Sequence, residues 1–374
     1  MSADLLSELR VLDFSTLLPG PYATRVLADY GAEIIRIEAP GRADMTREMA
    51  PLIDGVGALH RHLQRGKRSV CLDLKTAAGR SVVHELLKTT DVLVEGFRPG
   101  TMARLGLGYE SLSEAHPSLI YASLTAYNED GPLSSRAGHD LSVLARAGQL
   151  DAHTFPTFTQ VADLGAALHL VTGILAAVVA RSRTGAGQRV SVSMFDAAIS
   201  LGVTGLTSAL TGQPTDDTSR LDGVGLYDVY ATRDGGAVAM AALEPVFLKR
   251  FCVAVGRADL LAVHSVPDLK AELTTLFRSK DTSWWATVLE PLDACVEVCV
   301  DLAHALAQAE RLCVEVDGHR HVASPVRFNG RHPCAMQPAQ ARGADTRTVL
   351  QSVGVPEDAI EAMFAAGEAR ERGD

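Results

Sequence analysis

An α/β fold built on a parallel sheet is predicted, and three observations carry the prediction. Short apolar runs alternate with amphipathic stretches from the start: Leu9–Phe14, then Tyr22–Tyr30, then Glu33–Glu38. The alternation recurs downstream as a strand at Ser69–Leu74, a helix at Thr76–Thr89 and a strand at Asp91–Glu95. Breakers fall between these runs, as in the Ser15–Pro21 loop, at Gly31 and through Gly96–Gly100. Strand–helix–strand units of this kind join parallel neighbours by a crossover.

The remaining elements follow in order. Pro40–Gly66 reads as irregular and holds Arg42, Arg47, Arg61 and Arg65, with Lys67 and Arg68 just beyond. Thr101–Leu105 restarts as a helix, and Leu119–Leu124 and Arg189–Ser193 are strands. Between the last two lies Val161–Ala180, an apolar run long enough to span a bilayer. It carries Asp163 and His169, and Arg181 and Arg183 follow it at once, so it is read as a buried helix of a soluble domain, with His169 a core histidine. Met194–Leu210 reads as one helix and Thr211–Gly225, polar and breaker-rich, as a linker.

Beyond the linker, Leu226–Thr232 and Ala237–Ala242 form a hairpin around Asp234-Gly235. Helices at Pro245–Val255, Leu269–Arg278, Thr282–Leu289 and Leu302–Gln308, with a strand at Ala294–Cys299, complete a smaller α+β domain. Trp284 and Trp285 are expected in its core or at a dimer contact. The expected organisation is a large domain over 1–210, a linker over 211–225, the small domain over 226–321, and a return segment over 322–374 that ends in a helix, Pro356–Gly367.

Composition narrows the function. The 374 residues are 47% apolar and 21% charged, a globular balance. A net charge of −10 argues against nucleic-acid binding, which demands clustered cations, yet permits a local basic pocket. The six cysteines form no Cys-x-x-Cys pair, and the polar start Met1–Arg10 lacks a signal-peptide core, so reduced thiols in a cytoplasm are expected. No zinc site is expected: Cys295 and Cys299 lack a further ligand at suitable spacing, and His319 and His321 are too close.

Two groups of candidates emerge. Arg98 sits between a strand end and a helix start, a good place to hold a phosphate, and Arg47, Lys67 and Arg68 could join it. The loop after the first strand lies at the carboxyl edge of the sheet, where open α/β folds bind ligands, but it carries no Gly-x-Gly-x-x-Gly fingerprint. The second group is His139, in Ala137-Gly-His-Asp140, and Asp163, at the mouth of the apolar helix. Helix N–H groups there favour the aspartate anion, while burial opposes it, and the sequence leaves the outcome open.

These segments together resemble the family III CoA-transferases, a family that also contains the α-methylacyl-CoA racemases. The resemblance runs through Leu9–Phe14, Pro19–Tyr22, Leu27–Glu38, Asp44–Arg47, Arg65–Lys75, Asp91–Gly100, Ala137–Asp140, Ala162–Gly165, Thr184–Gln188, Leu243–Phe247 and Asp293–Val296. It implies a large Rossmann-like domain with a smaller inserted one, an interlocked homodimer, and a CoA thioester as substrate. The CoA-binding set it implies is Arg47, Lys67, Arg68, Leu72, Phe97, Arg98 and Arg104. In the racemases, an aspartate matching Asp163 and a histidine matching His139 are opposed bases on the α-carbon, and a glutamate matching Glu244 orients the histidine. A backbone N–H at the start of the Asp163 helix is then the expected donor to the enolate oxygen. In the transferases the same aspartate attacks the thioester. The three residues together favour the racemase, with CoA transfer and a catalytically lapsed CoA-ester-binding protein as alternatives. No metal, tightly bound cofactor, membrane or nucleic-acid partner is implied.

Departures from the family pattern border the expected acyl and CoA sites. Ala126-Tyr-Asn-Glu129 replaces a Gly-Tyr-Gly-Gln run, Val143 stands where an aromatic is common, Gln64 where asparagine is usual, and Ala39 where some members have a base. The short loop before Asp163 holds His153, Phe155 and Phe158.

Overall fold

The computed structural model describes residues 4–150, 159–213 and 225–371. His153, Phe155 and Phe158, and most of the expected linker over 211–225, lie outside the described residues. The chain divides into two compact units, one formed by Met1–Gly202 with Arg311–Asp374 and the other by Val203–Glu310.

In the larger unit the elements run β1 (Arg10–Asp13), α1 (Pro19–Asp29), β2 (Glu33–Glu38), a small hairpin of β3 (Leu52–Ile53) and β4 (Val56–Gly57), α2 (Ala58–Gln64), β5 (Lys67–Leu72), α3 (Ala77–Leu87) and β6 (Val92–Glu95). Then come α4 (Thr101–Arg104), α5 (Tyr109–Ala115), β7 (Ile120–Thr125), α6 (Asp140–Arg146), α7 (Val161–Thr184), β8 (Arg189–Ser193) and α8 (Met194–Leu201). The smaller unit holds α9 (Val203–Thr211), β9 (Asp228–Ala231), β10 (Ala237–Met240), α10 (Pro245–Ala254), α11 (Val266–Arg278), α12 (Thr282–Leu289), β11 (Val296–Val298) and α13 (Leu302–Gln308). The chain returns through β12 (Cys313–Val316), β13 (His319–Val322), α14 (Thr346–Ser352), α15 (Glu357–Ala365) and β14 (Ala369–Arg370).

Local chemistry sets several boundaries. Pro19 and Pro21 open α1, where a missing N–H costs nothing. The Thr76 hydroxyl caps α3 by accepting the Gly79 N–H at 3.1 Å, and Ser193 caps α8 at the Asp196 N–H, 2.9 Å away. Gly185, at φ 72°, ends α7 in the left-handed region.

The central sheet has the order β14-β5-β2-β1-β6-β7-β8. Six strands are parallel as predicted; β14 is an antiparallel addition at one edge, pairing Ala369 with Leu72. Alternation along each strand feeds two cores. Val11, Val92, Val94 and Ile120 pack with α1, α6, α7 and α8 on one face. Leu12, Leu93 and Tyr121 pack with α3, α5, α14 and α15 on the other.

Helix α7 buries Ala162, Ala166, Ala167, Leu170, Ile174 and Ala177 along one stripe, while Leu168 and Val179 stay exposed opposite. By length and composition it is the one candidate membrane span among the described single helices; here its buried stripe lies against α1, β7 and β8. His169 falls on the outer stripe and is exposed, so the expected core histidine is corrected by helical phase.

Other expectations change as well. The Met194–Leu210 helix is two helices, interrupted at Gly202, where the units divide. The irregular Pro40–Gly66 segment contains α2. The smaller unit is 203–310 rather than 226–321, because the β12–β13 hairpin, turned by Asp317 and Gly318 at positive φ, belongs to the larger unit. Within the smaller unit, β11-β10-β9 form an antiparallel sheet that includes the predicted hairpin. Trp285 is fully buried against Phe277 and donates its indole N–H to the Phe277 carbonyl at 2.9 Å, whereas Trp284 is partly exposed.

Candidate active site

A cavity of ≈ 400 Å³ opens in the larger unit beyond the carboxyl ends of β1, β2, β5 and β6. Strand order reverses between β1 and β6, and ligands of open α/β sheets bind at such switch points. Phe14, Ile37, Leu72, Leu74, Phe97 and Leu105 give it an apolar lining, suited to a planar ring. Of the expected CoA contacts, Leu72 and Phe97 line it directly. Arg98 is exposed next to Phe97, and Arg104 donates to the hydroxyl of Thr101, another lining residue, at 3.0 Å.

The other expected cations are placed differently. Lys67 is only 3% exposed; its ammonium meets the Asp13 carboxylate at 3.3 Å, the Thr24 hydroxyl at 2.7 Å and the Pro21 carbonyl at 3.0 Å. Burial pulls its pKa down to about 8, against the attraction of Asp13. Asp13 is pushed up by burial and pulled below its ordinary value by Lys67, Ser15 and Thr24 together. Lys67 is therefore an internal counter-ion, a correction to its place in the phosphate pocket.

Arg47 reaches the cavity wall only through Glu38, which accepts from it at 2.7 Å and 3.2 Å. Burial raises the Glu38 pKa, but Arg36, Arg47 and Ser69 more than reverse this. Arg68 lies among Glu33, Thr348 and Asp345 and does not line the cavity.

Three cations line the cavity: Arg36, paired with Asp44 at 2.6 Å and Glu38 at 3.3 Å, and then Arg42 and Lys75. Arg42 and Lys75 each follow the carboxyl end of a sheet strand, β2 and β5, and that placement was the available sequence signal. Ala39, at the position where some relatives have a base, also lines the cavity.

The acid–base candidates sit elsewhere on the same sheet edge. Helix α7 crosses back from β7 to the parallel β8, so its first turn lies at the carboxyl edge of the strands. Asp163, in that turn, is 9% exposed. Its pKa is raised to about 7, first by burial and then by the Asp140 carboxylate. The expected lowering by helix N–H groups is absent for a specific reason. The N–H groups of Ala162 and Asp163 donate to Asp140 Oδ1 at 2.7 Å and 3.1 Å, and that of Leu164 to the Gln160 carbonyl at 2.9 Å.

His139 precedes Asp140 and stands at the start of α6 with its side chain exposed. Its backbone N–H donates to the Ser142 hydroxyl at 3.0 Å, and that hydroxyl donates back to the His139 carbonyl at 2.8 Å. The turn that follows the histidine is thus pinned by Ser142 and by Asp140. Glu244 lies in the smaller unit, exposed, at the N-terminus of α10.

The departures in this region are taken up by packing. Val143 is fully buried in the core, and Gly138 lies so close to it that an added Cβ would meet Val143 Cγ2 at 3.0 Å and Ala126 Cβ at 2.9 Å. Glu129 accepts from the Ser123 hydroxyl at 2.7 Å and pairs with Arg189. Gln64, the last residue of α2, is buried and is not a cavity residue. Among the described residues no group of His, Cys, Asp or Glu is arranged to hold a metal ion.

Comparison with known proteins agrees with this layout. The sequence model of CoA-transferase family III matches residues 6–346. A probable fatty acyl-CoA transferase of Mycobacterium tuberculosis is 35% identical over 76% of this chain and 80% of its own length. The human α-methylacyl-CoA racemase is 33% identical over 78% of this chain and 76% of its own. An acetyl-CoA:oxalate CoA-transferase of Acetobacter aceti is 31% identical over 86% and 88%. A crystal structure of a Mycobacterium tuberculosis protein described as hypothetical superposes with a TM-score of 0.81 at 30% identity, covering 94% of this chain and all of that one. With the sheet, the switch-point cavity and the family match in agreement, the chain belongs to CoA-transferase family III.

Proposed function

We propose that this protein inverts the α-carbon of a 2-methylacyl-CoA thioester, with His139 and Asp163 exchanging one proton through an enolate. The observation that carries the reading is an aspartate poised near neutrality next to the loop that presents an exposed histidine. Two-base inversion needs one partner protonated and the other not, and a carboxyl with a pKa of about 7 can hold or release its proton near neutral pH. One base removes the α-proton, the enolate forms, and the other group delivers a proton to the opposite face. Each turnover leaves the two groups with exchanged protonation, and the reverse reaction restores them. CoA enters as part of the substrate, and the proton chemistry asks for no metal or redox cofactor.

The cavity would hold the CoA nucleotide, with Arg42, Lys75, Arg98 and Arg104 near its phosphates. The reading also includes a homodimer, which the uncovered apolar stripe of α7 at Leu168 and Val179 supports, and a cytoplasmic location. CoA transfer is the second reading. Similarly related proteins carry that activity in their names, and a buried carboxylate can also attack a thioester.

Proton NMR of a 2-methylacyl-CoA in D2O tests the proposal. Collapse of the methyl doublet with inversion at C2 is expected from the protein, and loss of both from His139→Ala. Arg42→Ala should leave the exchange rate at saturation unchanged and raise the concentration that saturates. CoA passed to an added free acid without α-exchange would replace the racemase with a transferase, and full exchange by His139→Ala would remove His139 from the chemistry.

A further inference from the structure

The aspartate that follows His139 does more than continue a motif. Asp140 is the first residue of α6, yet its Oδ1 accepts the N–H groups of Ala162 and Asp163 at the start of α7. One carboxylate thus ties together the beginnings of two helices, and each beginning carries one acid–base candidate. The contact spans 22 and 23 residues of chain, so it is a tertiary tie and not a local cap. It also sets a negative charge against the Asp163 backbone in a place where Asp163 itself is nearly out of water.

We propose that Asp140 is a positioning residue of this site, whose carboxylate fixes the His139 loop to the first turn of α7 and sets a negative charge beside the buried Asp163. The proposal rests on the acid–base reading above for its catalytic meaning, while the clamp stands on geometry alone. The electrostatics agree: Asp140 is the sole charged group that raises Asp163 among the described residues. The other charged groups on the elements packed against α7 are Arg25 and Asp29 on α1, Arg146 on α6, Asp196 on α8 and Arg189 on β8, and none of them enters. Arg25 and Asp29 satisfy each other at 3.1 Å, and Arg189 is held by Glu129.

A thermal double-mutant cycle tests this without substrate. The difference in Tm between the native protein and Asp163→Asn, followed from pH 4 to pH 8, reports the proton held by Asp163. In an Asp140→Asn background, which keeps an acceptor oxygen and loses the charge, the midpoint of that difference should fall by about half a pH unit or more, because a like charge has gone. Asp140→Glu should restore it. Asp140→Ser, neutral and still an acceptor, serves in place of Asp140→Asn where that chain does not fold. An unmoved midpoint in either neutral variant would overturn the proposal and leave Asp140 a structural tie only. The acidic limb of the pH–rate profile should move in parallel with the thermal midpoint. A thermal shift in a protein that shows no α-proton exchange would sustain the coupling and sink the racemase reading, so the two failures are separable.

Discussion

Asp163→Asn is expected to lower turnover by about 10³-fold, in the range of a lost general acid–base group, and at the same time to make the protein more stable at neutral pH. The two effects share one cause. Asp163 binds its proton more tightly in the folded chain, near pH 7, than at its ordinary value of 3.8. Below pH 4 both states are protonated and the residue is neutral to stability. As the pH rises towards 7 the unfolded chain gives up the proton first, so the folded state loses ground; above 7 the loss is complete and constant. The ceiling on that loss is about 4 kcal/mol at the usual 1.36 kcal/mol per pKa unit. Asparagine has no proton to give up, so its Tm advantage over the native protein should grow from pH 4 to 7 and then level. Thermal melts across that range check it. A Tm difference that does not change with pH would show that the carboxyl is not poised near neutrality, and the two-base mechanism would lose its main support.

Lys67→Met should be the most destabilising of the cation substitutions, by about 3–5 kcal/mol, the usual result of breaking a buried ion pair from one side. Asp13 would remain fully buried with only the Ser15 and Thr24 hydroxyls and the Ser15 N–H to hold its charge. Asp13→Asn in the same chain should recover part of the loss, because the stranded charge is gone. Arg42→Ala, on the cavity wall, should cost little stability and much substrate affinity. Urea unfolding together with a CoA-binding titration separates the two roles. Lys67→Met that folds as well as the native protein but binds CoA poorly would return Lys67 to the phosphate pocket and reverse the assignment made from its burial.

These contrasts show what could be read in advance. Strands β6 and β7 were legible because they are buried throughout and read as mainly apolar runs, and β8 because its residues alternate. The breakers between them placed the loops of the carboxyl edge, and with them the cavity. The partners of the cations were not legible. Lys67 finds its carboxylate 54 residues away, and Arg68 finds Glu33 across the sheet. A run of basic residues does not announce which of its members the fold will neutralise. Arg42 and Lys75 were better candidates by position than by motif, since each follows a strand end. The competition at Asp163 between helix donors and burial could be stated from the sequence but not decided. It was decided by burial, with Asp140 adding to it and occupying the helix donors in a contact that no local pattern predicts. His169 was misplaced because a helix that is apolar all round does not reveal which stripe faces inward.

The edge strand β14 bears on how the chain acquires its fold. Its partner β5 leaves the ribosome before residues 203–310 are made, and β14 only after them. Throughout that interval the nascent sheet ends at Cys71 and Leu72 with open N–H and C=O groups, and α14 and α15 are not yet present to cover the apolar side chains beside them. An uncovered edge of this kind recruits other strands. The sheet of the larger unit therefore cannot be completed until residues 203–310 have been made, and until then that edge is open to pairing with other strands.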